Sequence, residues 1–304
     1  IGVEFIRNDI EYRVYANKEV IVSGGPINSP QLLMLSGVGP RDHLKSLGIP
    51  VILDLPVGDN YMNHPNIELS PRVKPEYLYL VNELPQINIK QLSQLYYEQG
   101  GVLAQHATVI FFYSTKSNQD KQWPNVNLFI NTFNGSFVTT SNLVRVKSHG
   151  TVRLQSTDPR VYPLLNPNWL SHPDDVQNTL EMTRMQFYLF EKTQLAQYVI
   201  LPKLSKYDCP VCTGRYIHEC TEGLMCWIKY NSFTTYHVSG SCRMGSIDRP
   251  DVVVDPQLRV KYTKNLRVCD SSVFPSLPNA NTAAISITIG YKCSQFIKDT
   301  YDLK

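Results

Sequence analysis

The chain has 304 residues, 42% of them hydrophobic and 18% charged, with a formal net charge of +3. That length allows one large or two ordinary domains with real cores, and the balance is that of a globular chain. No apolar run approaches the ~20 residues that span a bilayer, and the basic residues form no stripe or block of the kind that binds nucleic acid.

The chain begins at Ile1, directly in strand-like sequence and without a basic–apolar–small leader pattern, as expected of a processed or truncated product. Residues 2–23 read as strands: Val3 and Phe5, then Tyr12, Val14 and Tyr15, flank the turn-like Arg7-Asn8-Asp9, and Glu19-Val20-Ile21-Val22 is a short apolar strand. Gly24-Gly25-Pro26 breaks it. A buried helix is expected next, with Ser29 as N-cap, Pro30 at the first helical position and Gly37 closing it. Strand signals recur at Thr108–Phe112, Asn127–Ile130 and Gly150–Leu154, and a helix is expected from Pro173 through Phe190. Sheet and helices in one block imply an α+β lobe. The last segment returns to tight patterning. Val252, Val253 and Val254 and then Leu266, Arg267 and Val268 read as strands, and residues 283–298 as a helix with Ile285, Ile289 and Phe296 on its apolar face. The chain leaves one domain, builds a second and comes back.

Of seven cysteines, Cys209, Cys212, Cys220 and Cys226 fall within 18 residues, and Cys242, Cys269 and Cys293 are dispersed. Two local disulfides suit the cluster better than zinc, because the second pair is spaced too loosely for a ribbon or finger. Disulfides and the acceptor triplet Asn134-Gly135-Ser136 lead to the expectation of a secreted, extracellular glycoprotein.

Two segments carry candidate chemistry. One is Tyr236-His237-Val238-Ser239-Gly240-Ser241-Cys242-Arg243-Met244-Gly245, and the other runs from Leu266 through Asp270, Ser271 and Pro278-Asn279-Ala280-Asn281-Thr282-Ala283-Ala284. Asn281 and Thr282 stand at the mouth of a helix, where free N–H groups and a partial positive charge suit an anion. Either could equally be a plain helix cap. By residue type alone, His237 could be structural and Asp270 a turn former.

These stretches resemble the glucose-methanol-choline (GMC) oxidoreductases, in which a histidine in a His-x-x-Gly-[Thr/Ser]-Cys-x-Met-Gly setting pairs with a downstream His or Asn. The upstream run from Glu19 to Pro40 is similar to a second signature of that family. Val57-Gly58-Asp59-Asn60 through His64 is similar to its Val-Gly-x-Asn-x-x-Asp-His loop, with Asn63 in place of Asp. Gly150-Thr151-Val152-Arg153-Leu154, Asp158-Pro159 and Asn168-Trp169-Leu170 extend the resemblance over nearly the whole chain. It implies an α/β FAD-binding domain interrupted by an α+β substrate-binding domain built on an antiparallel sheet. Residues 1–65 and 236–304 would form the first domain and 66–235 the second. The dinucleotide fingerprint Gly-x-Gly-x-x-Gly is nowhere in this sequence. The FAD domain is therefore expected to be completed by an N-terminal chain that carries it, cut from the same precursor.

The resemblance also implies FAD-dependent oxidation of an alcohol, with His237 as base, flavin N5 as hydride acceptor and Asn281 donating to the substrate oxygen. Thr282 and Ala283 would meet the flavin pyrimidine edge, Asp270 and Ser271 the ribityl-phosphate part, and Asn60 would also contact the cofactor. No metal is implied. The cysteine-rich stretch before Trp227 resembles arthropod members, with a sugar, an aromatic alcohol or a cyanohydrin as substrate. Tyr113, Phe129 and Phe133 are either pocket lining or core. An FAD-containing hydroxynitrile lyase is the alternative within the family, disfavoured by Asn281 in the second position, and a non-catalytic flavoprotein relic is the third reading.

Overall fold

A computed structural model describes residues 2–81, 88–100, 109–204, 208–210 and 212–303. The chain folds into two compact units, one of residues 1–64, 145–172 and 235–304, the other of residues 65–144 and 173–234. It enters the first unit through β1 (Gly2–Arg7), β2 (Ile10–Tyr15), β3 (Val20–Val22), α1 (Gly25–Leu35), β4 (Val38–Gly39), α2 (Arg41–Ser46) and β5 (Leu53–Asp54). The second unit begins with β6 (Pro65–Leu69), β7 (Arg72–Val73), α3 (Ile89–Tyr97), β8 (Val109–Tyr113), β9 (Val126–Phe133) and β10 (Ser136–Leu143). The chain returns to the first for β11 (Thr151–Arg153) and β12 (Leu164–Asn166). It adds α4 (Pro173–Lys192), β13 (Val199–Ile200), α5 (Thr221–Asn231) and β14 (Ser232–Thr234) to the second, and ends in the first with β15 (Leu266–Val268) and α6 (Ala283–Tyr301).

In the first unit β3 and β15 pair in parallel, Val20 against Leu266 and Val22 against Val268, as do β4 and β5. Val22, Met34, Val57, Val152, Val254 and Val268 meet in one apolar core. Beside it, Arg267 is held by Glu19 at 2.9 Å, with side-chain exposures of only 2% and 5%. Its two terminal nitrogens donate to the Gln257 carbonyl and the Thr300 hydroxyl, so every nitrogen of the buried cation has a partner.

Four sequence expectations need correction here. Residues 145–172 belong with the first unit rather than with the middle block. Tyr61 and Gly150 exchange both backbone hydrogen bonds, Val152 N donates to the Gly58 carbonyl, and Val152 and Leu154 join the first core. Helix α1 starts at Gly25, four residues before Ser29, because the carboxylate of Asp270 accepts from Gly25 N at 3.0 Å and caps the helix from across the fold. Gly37, at φ +82°, ends that segment as expected. Residues 252–254 are fully buried, but Val254 alone among them forms isolated bridges and they make no strand ladder, and Ile285 is 41% exposed rather than part of the packed face of α6.

The second unit is built on a seven-stranded antiparallel sheet in the order β13-β7-β10-β6-β14, with β9 beside β10 and β8 beside β9. The β9–β10 hairpin turns on Asn134-Gly135, both at positive φ (46° and 73°), the combination that matches strand twist in a two-residue turn. Helix α4 buries Leu180, Met182, Phe187 and Phe190, and Gln186 donates to the Ile67 carbonyl of the sheet. Trp227 of α5 packs edge-on to Phe187 with ring centroids 5.5 Å apart. The cysteine cluster forms the two expected local disulfides, Cys209–Cys226 and Cys212–Cys220. Thr108, at the start of the expected strand, lies outside the described residues. Of the three aromatics, Tyr113 and Phe129 are half-buried and Phe133 is 64% exposed, so they do not form one core cluster.

Candidate active site

Three backbone segments of the first unit are stitched edge to edge. Gly58 N donates to the Ser241 carbonyl at 2.7 Å, and Met62 and Ser239 exchange hydrogen bonds at 2.9 and 3.0 Å. On its other side the 239–244 segment donates from Gly240, Cys242 and Met244 to the carbonyls of Ser271, Ser272 and Val273. Ser241 Oγ also donates to the Pro26 carbonyl, tying the sheet-like layer to the start of α1. Gly240 is the tightest point. At φ +86°, its missing Cβ would lie 2.5 Å from the Asn60 carbonyl oxygen, so no other residue fits. Asn60 itself sits at φ +57°, and its side-chain amide donates to the Gly240 carbonyl.

This lattice fixes His237. Its backbone N donates to Asn63 Oδ1 at 3.1 Å, so the carboxamide side chain anchors the segment. Its Nδ1 lies 3.0 Å from Nδ1 of His64, with the two rings perpendicular at 88°. His64 is completely buried and its carbonyl accepts from Thr235 Oγ1. Burial holds the His237 pKa below the ordinary histidine value, which favours the uncharged ring. Neighbouring Cys242 is a buried free thiol whose pKa burial pushes up, which makes it a packing residue and not a nucleophile.

Asp270 has both carboxylate oxygens engaged. One accepts from Gly25 N and from Ser29 Oγ at 2.5 Å, the other from Ser272 N at 2.7 Å. Its first duty is therefore to join the carboxyl ends of β3 and β15 to the start of α1, where open α/β sheets bind ligands. Ser271 donates its hydroxyl to the Val238 carbonyl. Cys269, one residue earlier, is bonded to Cys293 of α6, a pairing that sequence spacing did not indicate.

Asn281, Thr282 and Ala283 stand apart from this lattice, at the mouth of α6. Thr282 is the N-cap residue, but no side chain caps the first turn, so the plain capping role open to Asn281 and Thr282 in the sequence is not realised. Asn281, Ala283 and Ala284 are exposed. The 19-residue helix thus presents free N–H groups and the positive end of its dipole. Asn60, His237, Asp270 and Ser271 share one stitched surface, while Asn281 forms no direct bond to it.

The residues present fit part of a flavin. The uncapped mouth of α6 suits an anionic ring edge. Ser239 Oγ is buried with no protein partner, and the Cβ position of Gly25 faces open space, so a cofactor can approach the backbone there. No segment here offers the glycine-rich turn that would hold a pyrophosphate. His64 and Ser29 are functional neighbours that sequence reasoning missed. His64 was visible only as the end of a motif, and nothing in spacing told that its ring meets His237.

Two family models, both described as GMC oxidoreductase, match this chain at residues 1–66 and 146–290. It is 32% identical over 311 residues to mitochondrial choline dehydrogenase of Homo sapiens, covering 98% of this chain and 50% of that protein. It is 33% identical to oxygen-dependent choline dehydrogenase of Sinorhizobium fredii, covering 97% and 54%. The chain thus spans about half the length of the curated relatives it matches. Among solved structures, formate oxidase of Aspergillus oryzae superposes with a TM-score of 0.83 at 25% identity, over all of this chain and 58% of that one. A fungal aryl-alcohol oxidase superposes at 0.76 and 22% identity over 97% and 56%, a likeness of fold. The fold is that of an FAD-binding domain with a substrate-binding domain on an antiparallel sheet, FAD is the cofactor of this fold, and the chain belongs to the GMC oxidoreductase family.

Proposed function

We propose that this chain carries the catalytic half of an FAD-dependent oxidase or dehydrogenase acting on a CH–OH donor. His237 takes the hydroxyl proton at Nε2, and Asn281 donates from its carboxamide to the substrate oxygen as negative charge grows there. FAD, when bound, supplies the hydride acceptor. The N–H groups of Thr282 and Ala283 hold the pyrimidine edge, while Asn60, Asp270 and Ser271 line the ribityl side. The observation that carries the reading is a half-buried His237 pinned through Nδ1, with a helix mouth bearing Asn281 and lacking a side-chain cap bond in the same unit. The donor is an aromatic alcohol, a cyanohydrin or a sugar.

The pyrophosphate fingerprint is supplied by an N-terminal chain from the same precursor. The cysteine-rich stretch, its disulfides and the exposed Asn134 in the β9–β10 turn support a secreted, glycosylated protein of the arthropod type. Native mass analysis checks the composition: a second polypeptide and one FAD should travel with this chain. Anaerobic mixing with choline, benzyl alcohol, a hexose and mandelonitrile tests the activity. Bleaching of the flavin band by one of them supports oxidation. Cyanide release without bleaching identifies a hydroxynitrile lyase, and absence of flavin a non-catalytic relic.

A further inference from the structure

The two Nδ1 atoms of His64 and His237 face each other at 3.0 Å, so only one of them carries a proton when both rings are neutral. We infer that His64 is a positioning residue that accepts this hydrogen bond, holding His237 as the Nδ1–H tautomer with its lone pair displayed at Nε2. This rests on the reading of His237 as base.

The two possible arrangements differ in what happens when His237 gains a proton. If His64 accepts, the new imidazolium already points an N–H at a lone pair, and the bond becomes charge-assisted and stronger. If His64 donates, His237 in its neutral form has its lone pair occupied at Nδ1 and a proton on Nε2, the wrong form for a base. Protonation at Nδ1 would then bring two N–H groups into collision. Only the first arrangement lets the ring take a proton where a substrate can reach it. The geometry also keeps the pair from drifting. His64 is completely buried, with its carbonyl bonded to Thr235 Oγ1 at 2.9 Å, and the His237 backbone is bonded to Asn63 Oδ1. A carboxylate in the place of His64 would raise the basicity of His237 more. A neutral imidazole orients the ring without adding a buried charge.

The test is neutron diffraction from the flavin-loaded protein in heavy water, at a pH where His237 is neutral. Deuterium on His237 Nδ1 and none on His64 Nδ1 is the expected result; deuterium on His64 Nδ1 and on His237 Nε2 overturns the assignment. Two variants give an independent readout. His64→Leu should slow anaerobic flavin reduction about 10- to 100-fold, the usual cost of losing an orienting partner, with flavin still bound. His64→Asn, which places an amide oxygen near the lost acceptor, should restore most of the rate. Equal losses in both variants, or no loss in His64→Leu, also overturn it. Should His64→Leu fail to fold, the neutron map decides alone. If His237→Ala retains normal flavin reduction, the reading of His237 as base fails, while the deuterium positions still report on His64.

Discussion

The surroundings of His237 and the mouth of α6 are opposite kinds of construction within one unit. Around His237, three segments exchange backbone hydrogen bonds, Gly240 leaves no room for a methyl group, and Asn60, Asn63 and His64 each have a defined partner. At Asn281, no side-chain cap bond is made to the helix among the described residues, and Asn281, Ala283 and Ala284 are exposed. The first region is organised by the chain itself. The second, in the proposed function, is where the cofactor and substrate would bind. Substitutions in the lattice should therefore cost stability as well as rate, and substitutions at the mouth should cost rate alone.

The largest effect is expected at the lattice's functional end. His237→Ala should reduce the rate of anaerobic flavin reduction ~1,000-fold, within the range for a positioned base, as read by stopped-flow absorbance. A loss of less than ~10-fold removes His237 from proton transfer. Gly240→Ala should destabilise the protein by about 2–4 kcal/mol, since it adds left-handed strain to a backbone clash. Chemical denaturation of the flavin-loaded protein measures this, and a change under ~0.5 kcal/mol, ordinary for an unstrained surface site, would show that the lattice is loose. Asn281→Ala should slow flavin reduction ~100-fold, as loss of an oxyanion-type donor does, and leave the melting temperature unchanged. A drop in stability comparable to that of Gly240→Ala would erase the contrast between the regions.

The smallest effect is in pH. Because burial lowers the His237 pKa in the folded state, the unfolded chain binds more protons as pH falls below the ordinary histidine value of about 6.5. This group's contribution to stability is complete above that pH and declines on acidification toward the lowered folded value. His43, whose pKa is lowered by burial and by Arg153, adds to the same decline. The acid limb of flavin reduction should accordingly lie below the ordinary histidine range. A limb at or above it would mean that His237 is not the titrating base.

Much of this architecture was legible in the residues. The alternation in β1 and β2, the glycine that ends α1, the long periodic run of α4 and the returning strand β15 followed from local pattern. What escaped was tertiary. The start of α1 is set by a carboxylate 245 residues away, so Ser29 read as a cap when it is an interior residue bonded to that carboxylate. Residues 252–254 alternate as poorly as any buried run, and their apolar character reflected depth in the core and not strand pairing. Residues 145–172 carry strand signals that fit either unit, and tertiary contacts such as the bonds of Gly150 and Val152 and the burial of Leu154 assign them. The family resemblance singled out His237, Asn281 and Asp270 as candidates, whereas the His64–His237 pair and the Cys269–Cys293 bond join residues too distant in sequence for spacing to connect.

The most direct test is a crystal structure of the flavin-loaded protein, with the proposed N-terminal chain, bound to a non-reacting analogue of the proposed alcohol. His237 Nε2 and the Asn281 carboxamide should each lie about 3 Å from the analogue's oxygen, over the flavin ring. An oxygen held by other groups, with the imidazole and the carboxamide on different sides of the bound ring, would contradict the proposed site.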